Sequence, residues 1–201
     1  PTNGKKITGT AEAGSTVTVK AEDGTVIGTT TAGPDGSWTV TPAAPLADGT
    51  KLEVTAKDGS GNESAPTPAT VDAKAPNAPV VNPTNGKVIT GTAEAGSTVT
   101  VKAEDGTVIG TVTAGTDGKW TVTPGTPLAD GTKINATATD KVGNESAPTS
   151  EVVDAKAPNA PVVNPTDGTK ASGTAEAGST VTIQDSNGAV IGTATADTDG
   201  K

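Results

Sequence analysis

Short alternating runs of apolar and polar residues, punctuated by Gly, Asn, Asp and Pro, fill the chain, and no segment shows a helical period. Alternation with period two sends successive side chains to opposite faces of a strand, and the punctuating residues end each run. Through the middle of the chain this pattern predicts seven strands, at residues 79–82, 88–93, 98–103, 107–113, 119–123, 133–139 and 149–154. Asn85-Gly86, Asp105-Gly106, Asp117-Gly118 and Asp130-Gly131 each put a residue tolerant of positive φ beside one that prefers it, which predicts hairpin turns.

The pattern recurs. Pro1-Thr2-Asn3-Gly4 returns as Pro83-Thr84-Asn85-Gly86 and as Pro165-Thr166-Asp167-Gly168, 82 residues apart each time without insertion or deletion. Solenoid repeats run to about 20 to 47 residues, whereas this period is long enough for a small self-contained domain. Seven short strands per period predict an all-β fold, an end-to-end array of tandem immunoglobulin-like seven-stranded β-sandwiches. The expected domains are residues 1–73, a repeat lacking its first strand; 74–155, a complete repeat; and 156–201, the N-terminal part of a third. The chain opens where the second repeat has already passed residues 78–82, and it stops at Lys201, one position before a third Trp is due. Both ends therefore read as cuts through a unit. The third unit carries too few strands to close a sandwich, which predicts disorder or an opportunistic partner.

Comparison between repeats shows which face is buried. Lys6 corresponds to Val88, and a site that takes both is solvated, so Ile89 points inward. The same alternation places Val99, Val101, Trp120, Val122, Ile134, Ala136 and Ala138 in the core, joined by Ile109 and Leu128, with the intervening Thr residues facing water. Trp38 and Trp120 are the only aromatic residues of the chain and read as core anchors rather than ligand-stacking platforms.

Composition narrows the function. The net charge is −9 and every basic residue is Lys, so a nucleic-acid surface with guanidinium contacts is excluded. No apolar run approaches the roughly 18 residues of a spanning helix, and no membrane contact is expected of this segment. The absence of Cys rules out disulfides and thiolate zinc sites and suits a bacterial surface protein exported unfolded. His, Tyr, Phe and Met are also absent, which removes the usual general base and the soft metal ligands and leaves only hard, oxygen-liking cations.

The string Ile89-Thr90-Gly91-Thr92-Ala93-Glu94-Ala95-Gly96-Ser97-Thr98-Val99-Thr100-Val101, then Asp117-Gly118-Lys119-Trp120-Thr121-Val122, then Ala138-Thr139-Asp140 and Gly143-Asn144, resembles the bacterial Ig-like domains repeated in large secreted adhesins and biofilm-associated proteins. The resemblance covers the whole chain. It implies a non-catalytic stalk module on the extracellular bacterial surface, with a host or neighbouring-cell ligand gripped by domains outside this fragment. Some members of that family bind calcium at the junctions between domains. The Trp on the fifth strand rather than the third, and the absence of a cysteine pair, limit the likeness to antibody domains to architecture.

Topology suggests where a cation would sit. With strands alternating in direction, loops two, four and six share one end of the sandwich with the incoming linker. Those segments bring Asp72, Glu94, Asp117 and Asp140 to the first junction. Asp154, Glu176 and Asp199 repeat three of these contributions at the second, where the fourth would lie beyond Lys201, so the second site is expected to be the weaker. Calcium takes six to eight oxygen ligands and would relieve the repulsion of clustered carboxylates. The alternative is that Asp117 sets a turn, Asp72 and Asp140 end strands and Glu94 is solvated. Asp105 and Asp130, at the other end, read as turn residues.

The linker at 72–79 recurs unchanged at 154–161, and its two prolines favour stiff, extended backbone between neighbouring repeats. A spacer in an adhesin is the leading expectation, locked by calcium where calcium binds. The alternative is an Ig-like module that itself contacts carbohydrate or a protein on a neighbouring cell, which the absence of candidate exposed aromatics argues against. An accessory segment of a secreted enzyme is disfavoured by the missing His and Cys.

Overall fold

The computed structural model describes residues 2–201; Pro1, where the first expected domain opens, lies outside them. The described residues form strands, turns and extended chain with no helix, and the chain divides after Asp154 into two compact units.

The second repeat is a complete two-layer sandwich. Its strands are β7 (Val80–Val81), β8 (Ile89–Thr92), β9 (Thr98–Ala103), β10 (Val108–Thr113), β11 (Lys119–Val122), β12 (Lys133–Thr139) and β13 (Thr149–Val152). One sheet runs β11-β8-β7 and the other β10-β9-β12-β13, all with antiparallel pairing. The register puts inward residues opposite one another: Trp120 faces Gly91, Val122 faces Ile89, and Ala136 and Ala138 face Val101 and Val99. Ile89, Val99, Val101, Ile134, Ala136 and Ala138 are fully buried, and Trp120 is 3% exposed, as the alternation requires. Ile109 and Leu128 pack against this core but are only partly buried.

Three features depart from the alternation. Val81, Ala114 and Val153 also belong to the core, although they lie on a two-residue strand and in loops too short to show a period. Thr137, expected to face water, has its hydroxyl shut away from solvent with no hydrogen-bond partner. Of the four expected hairpin turns, Asp105-Gly106 joins the paired strands β9 and β10, but Asp117-Gly118 and Asp130-Gly131 carry the chain across from one sheet to the other. Gly106 and Gly118 both adopt positive φ, so the local conformation is the one expected. What differs is the partner: Gly118 offers its carbonyl to Ala93 in the neighbouring loop. Turn chemistry sets the bend, and the core decides which sheet the next strand joins.

The first repeat comprises β1 (Ile7–Thr10), β2 (Thr16–Ala21), β3 (Val26–Thr31), β4 (Ser37–Val40), β5 (Lys51–Lys57) and β6 (Thr67–Thr70). Its sheets among the described residues are β3-β2-β5-β6 and a two-stranded β1-β4, in which β1 occupies the position of β8. Its core gathers Ile7, Val17, Val19, Trp38, Val40, Leu52 and Val71. Both indoles are thus core anchors.

The second unit holds β14 (Val162–Val163), β15 (Gly173–Thr174), β16 (Thr180–Gln184) and β17 (Val190–Thr195), which pair only as β14-β15 and β16-β17. The strands of this unit pair two by two. They close no core: Ala196 is the one buried apolar residue of this unit among the described residues, and Val162, Val163, Val190 and Ile191 stand exposed.

Candidate functional site: the junction between the first two repeats

The linker leaves the first repeat under constraint. The Asp72 N–H donates to the carbonyl of Thr2 at 2.8 Å, and the Ala73 N–H donates to Asp48 Oδ1 at 2.9 Å. Pro76 and Pro79 are buried, and the hydroxyl of Thr149 donates to the carbonyl of Pro79, which seats the linker on the second repeat as β7 begins.

Facing the linker is the loop between β12 and β13. Asp140 Oδ1 accepts the backbone N–H groups of Val142 and Asn144, each at 2.9 Å, and Oδ2 accepts the Asn144 side-chain amide at 2.8 Å. The same amide nitrogen donates to the carbonyl of Asp72 at 2.7 Å, with the carbonyl of Lys74 at 3.3 Å. An amide has two hydrogens, so one goes to Asp140 and the other lies between the two linker carbonyls. Asn144 is only 7% exposed, and a Cβ built at the adjacent Gly143 would lie 3.5 Å from Asn3 Nδ2 of the first repeat. A neutral side chain therefore ties the loop of one repeat to the backbone arriving from the other.

The first repeat contains an internal comparison. Asp58 and Asn62 reproduce the loop: Asp58 Oδ1 accepts the N–H of Asn62 at 2.9 Å, and Oδ2 accepts its amide at 2.7 Å. Asn62 is exposed. The Asp–Asn pair is thus a local loop device, and the hydrogen bonds to the linker are added where a linker crosses it.

Burial pulls the Asp140 carboxyl upward, but the hydrogen bonds from the Asn144 backbone, the Asn144 amide and the neighbouring N–H groups outweigh it, and the net pKa falls below the ordinary 3.8. A carboxyl lowered on folding contributes stability that is present above the unfolded value and lost as pH falls through the folded one. The loop is accordingly expected to be unchanged from neutral pH down to 3.8 and to loosen below it. Amide exchange at Val142 and Asn144 measured across that range checks this. In Asp140→Asn the same step should vanish, while the steps of Asp58, Asp105 and Asp117, whose carboxyls are also lowered by hydrogen bonds, remain.

A family model for the bacterial Ig domain matches residues 1–73, 75–154 and 157–201. The chain belongs to the bacterial Ig domain family. No curated protein matches it. Among solved structures, a biofilm-associated protein, BSP domain, is 28% identical, with 78% of this chain and 29% of that one covered and a TM-score of 0.39. The chicken CNTN1 FN1-FN3 domains are 12% identical, covering 75% of this chain and 60% of that one at a TM-score of 0.43. The fibronectin(III)-like modules of Clostridium thermocellum CbhA are 23% identical, covering 76% and 87% at a TM-score of 0.36. This bacterial Ig domain chain spans less than a third of the biofilm-associated chain it matches.

The carboxylates expected at the junction are distributed differently from the sequence reading. Asp72, Glu94 and Asp140 line one cleft, together with Lys74 and Lys141. Asp117 does not line it: Asp117 Oδ1 accepts the N–H of Lys119 at 3.0 Å, and its other oxygen lies 3.5 Å from Lys119 Nζ, so it sets a turn. Among the described residues no three carboxylates gather closely enough to hold a metal ion. Asp140 directs both oxygens into its own loop, the Asn144 amide takes the linker carbonyls, and two ammonium groups share the cleft.

Of the second set, the Asp154 N–H donates to the carbonyl of Thr84 within the first unit. Glu176 and Asp199, in the second unit, are both exposed. There the turn is capped by Asp197, which accepts the N–H groups of Asp199 and Lys201 at 3.0 and 2.8 Å. Charge patterning does not mark Asn144, which is neutral. The signal available was the Asp-x-x-Gly-Asn spacing shared by Asp58–Asn62 and Asp140–Asn144, which places an amide beside a loop carboxylate in each repeat.

Proposed function

We propose that this chain is a non-catalytic spacer in an extracellular bacterial cell-surface adhesin, holding a distal adhesive domain away from the cell and so supporting adhesion and biofilm formation. The observation that carries this reading is the Asn144 clasp, which reaches 72 residues back along the sequence to the carbonyl of Asp72. A spacer transmits position only if its joints are stiff, and a linker with two buried prolines hydrogen-bonded to the repeats it connects has few rotations left. The burial of both Trp side chains removes the stacking surface that carbohydrate recognition uses, which weighs against the contact-module alternative.

Because the chain has no Cys, one spin-labelled cysteine in each of the first two repeats reports the joint directly. The wild type should give a narrow distance distribution and Asn144→Ala a broad one. The second repeat of the variant should lose about 0.5 to 1.5 kcal/mol, the net worth of a typical hydrogen bond, since its acceptors are only partly buried. An equally broad distribution in the wild type would defeat the spacer reading. Calcium, the other means of stiffening this joint, is tested in the same samples. With the clasp alone, chelator leaves the distribution and the melting midpoint unchanged, whereas a broader distribution and a lower midpoint on chelation would assign the lock to the ion.

A further inference from the structure

Asn-Gly occurs at Asn3-Gly4, Asn85-Gly86 and Asn187-Gly188, and the fold treats the last unlike the other two. Gly86 sits in a packed turn: it is buried, its N–H donates to the hydroxyl of Thr84 at 3.0 Å, and a Cβ built on it would stand 2.6 Å from the carbonyl oxygen of Leu128. Gly4 repeats this setting, with its N–H on the Thr2 hydroxyl at 3.2 Å and the Leu46 carbonyl oxygen 2.6 Å from a built Cβ. Gly188 lies instead at the tip of the hairpin joining β16 and β17, where it and Asn187 are both exposed and a built Cβ meets nothing within 4 Å. That openness belongs to the tip itself, since the corresponding Asp23-Gly24 and Asp105-Gly106 are exposed and equally open within the first two repeats.

The Asn187 amide is not what holds its turn. Asp185 does so: its Oδ1 accepts the N–H groups of Asn187 and Ala189, each at 2.8 Å, and its carbonyl accepts the N–H of Gly188 at 3.0 Å. Those bonds join exposed residues, so water takes them over when the tip opens. The first two repeats show that an acid fits at this position. Asp23 and Asp105 stand there, and Oδ1 of each accepts a backbone N–H, from Thr25 at 2.8 Å and from Thr107 at 2.9 Å.

We propose that Asn187 is a site of spontaneous deamidation, an irreversible amide-to-acid modification that needs no enzyme. The backbone nitrogen of Gly188, unhindered because its own residue carries no Cβ, attacks the side-chain carbonyl carbon of Asn187. A C–N bond closes a cyclic imide, the bond to the side-chain nitrogen breaks, and ammonia leaves with the proton given up by Gly188. Water then opens the imide to aspartate, the residue of the other two tips, or to isoaspartate, and the chain gains a negative charge. Asn3 and Asn85 carry the same dipeptide but are held back, because a buried nitrogen bonded to a Thr hydroxyl reaches the carbonyl only when its packed turn opens. The modification is independent of the spacer reading and of the stiffness of the joint.

Peptide mapping by mass spectrometry, on the whole folded chain held at mildly alkaline pH, tests it. Asn187 should convert at least about tenfold faster than Asn85, which must wait for local opening. In denaturant the two should convert at similar rates, which assigns the difference to the fold. Residues 171–201 contain no other Asn, so the acid gained in that segment should disappear in Asn187→Gln, whose longer side chain closes the imide ring far more slowly. An Asn187 that keeps its amide in the folded chain while the denatured chain converts, an Asn85 that keeps pace with Asn187 in the folded chain, or an acid gain that persists in Asn187→Gln would each overturn the proposal.

Discussion

Replacement of Trp120 by Ala is expected to destabilise the second repeat severely while leaving the first at its wild-type stability. The indole is 3% exposed in a core otherwise built from Val, Ile and Ala, so no neighbouring side chain is large enough to collapse into the space. Deleting a buried Trp costs about 3 to 5 kcal/mol, against a total of about 5 to 15 kcal/mol for a domain. The chain provides its own reporter. With Trp120 gone, all indole emission comes from Trp38, and a denaturant titration read by Trp38 fluorescence should keep its wild-type midpoint while the circular dichroism acquires an earlier transition. Trp120→Phe should cost far less, because the indole Nε1 is buried without a hydrogen-bond partner and the phenyl ring removes that orphan donor. Equal losses for Ala and Phe would mean that ring packing is not what holds this core.

The second large effect is expected at Gly91, where a Val side chain should expel β7. A Cβ there would stand 1.9 Å from the Val80 carbonyl oxygen and 2.6 Å from Trp120 Cζ2, and neither can yield, since one is backbone and the other a ring packed in the core. Loss of β7 re-exposes Pro79 and Val81 and should lower the stability of the second repeat by about 3 kcal/mol or more on area burial. The counterpart Gly9 makes the control. Its built Cβ meets the Trp38 ring at 2.6 Å but no neighbouring strand, so Gly9→Val should destabilise its repeat less. Urea midpoints of the two variants check the order. Hydrogen exchange at the Asn82 N–H, which bonds the carbonyl of Thr90, should accelerate in Gly91→Val.

The residues in these two predictions also show how much could be read in advance. Trp120, Val99, Val101 and Ile134 were legible as core because strand alternation is a local signal, repeated over four to seven residues. Val81 and Val153 were not, because they lie where the strand is two residues long or has already ended. Gly91 read only as part of a recurring string; its role depends on how closely Val80 passes, which no property of the string records.

At the candidate site the charged residues were found and the neutral one was missed. Asp72, Glu94 and Asp140 do meet in one cleft, because alternate loops share an end of the sandwich, but Asp117 turns to its own backbone. Asn144 carries no charge to attract notice. Its partners Asp72 and Lys74 offer backbone carbonyls, which every residue possesses, so no side-chain pattern could have named them.

The amino-acid order alone determined the period of 82 residues, the all-β character, the inward face of each long strand and the family to which the repeats belong, since all of these are written in spacings shorter than a strand or in strings that recur intact. Tertiary structure alone decided which sheet each strand joins, which carboxylates meet, and that an amide closes the joint between the first two repeats. Those outcomes depend on contacts between residues distant in sequence, 72 positions for Asn144 and Asp72, where the geometry of two packed layers, and not the local pattern, selects the partner.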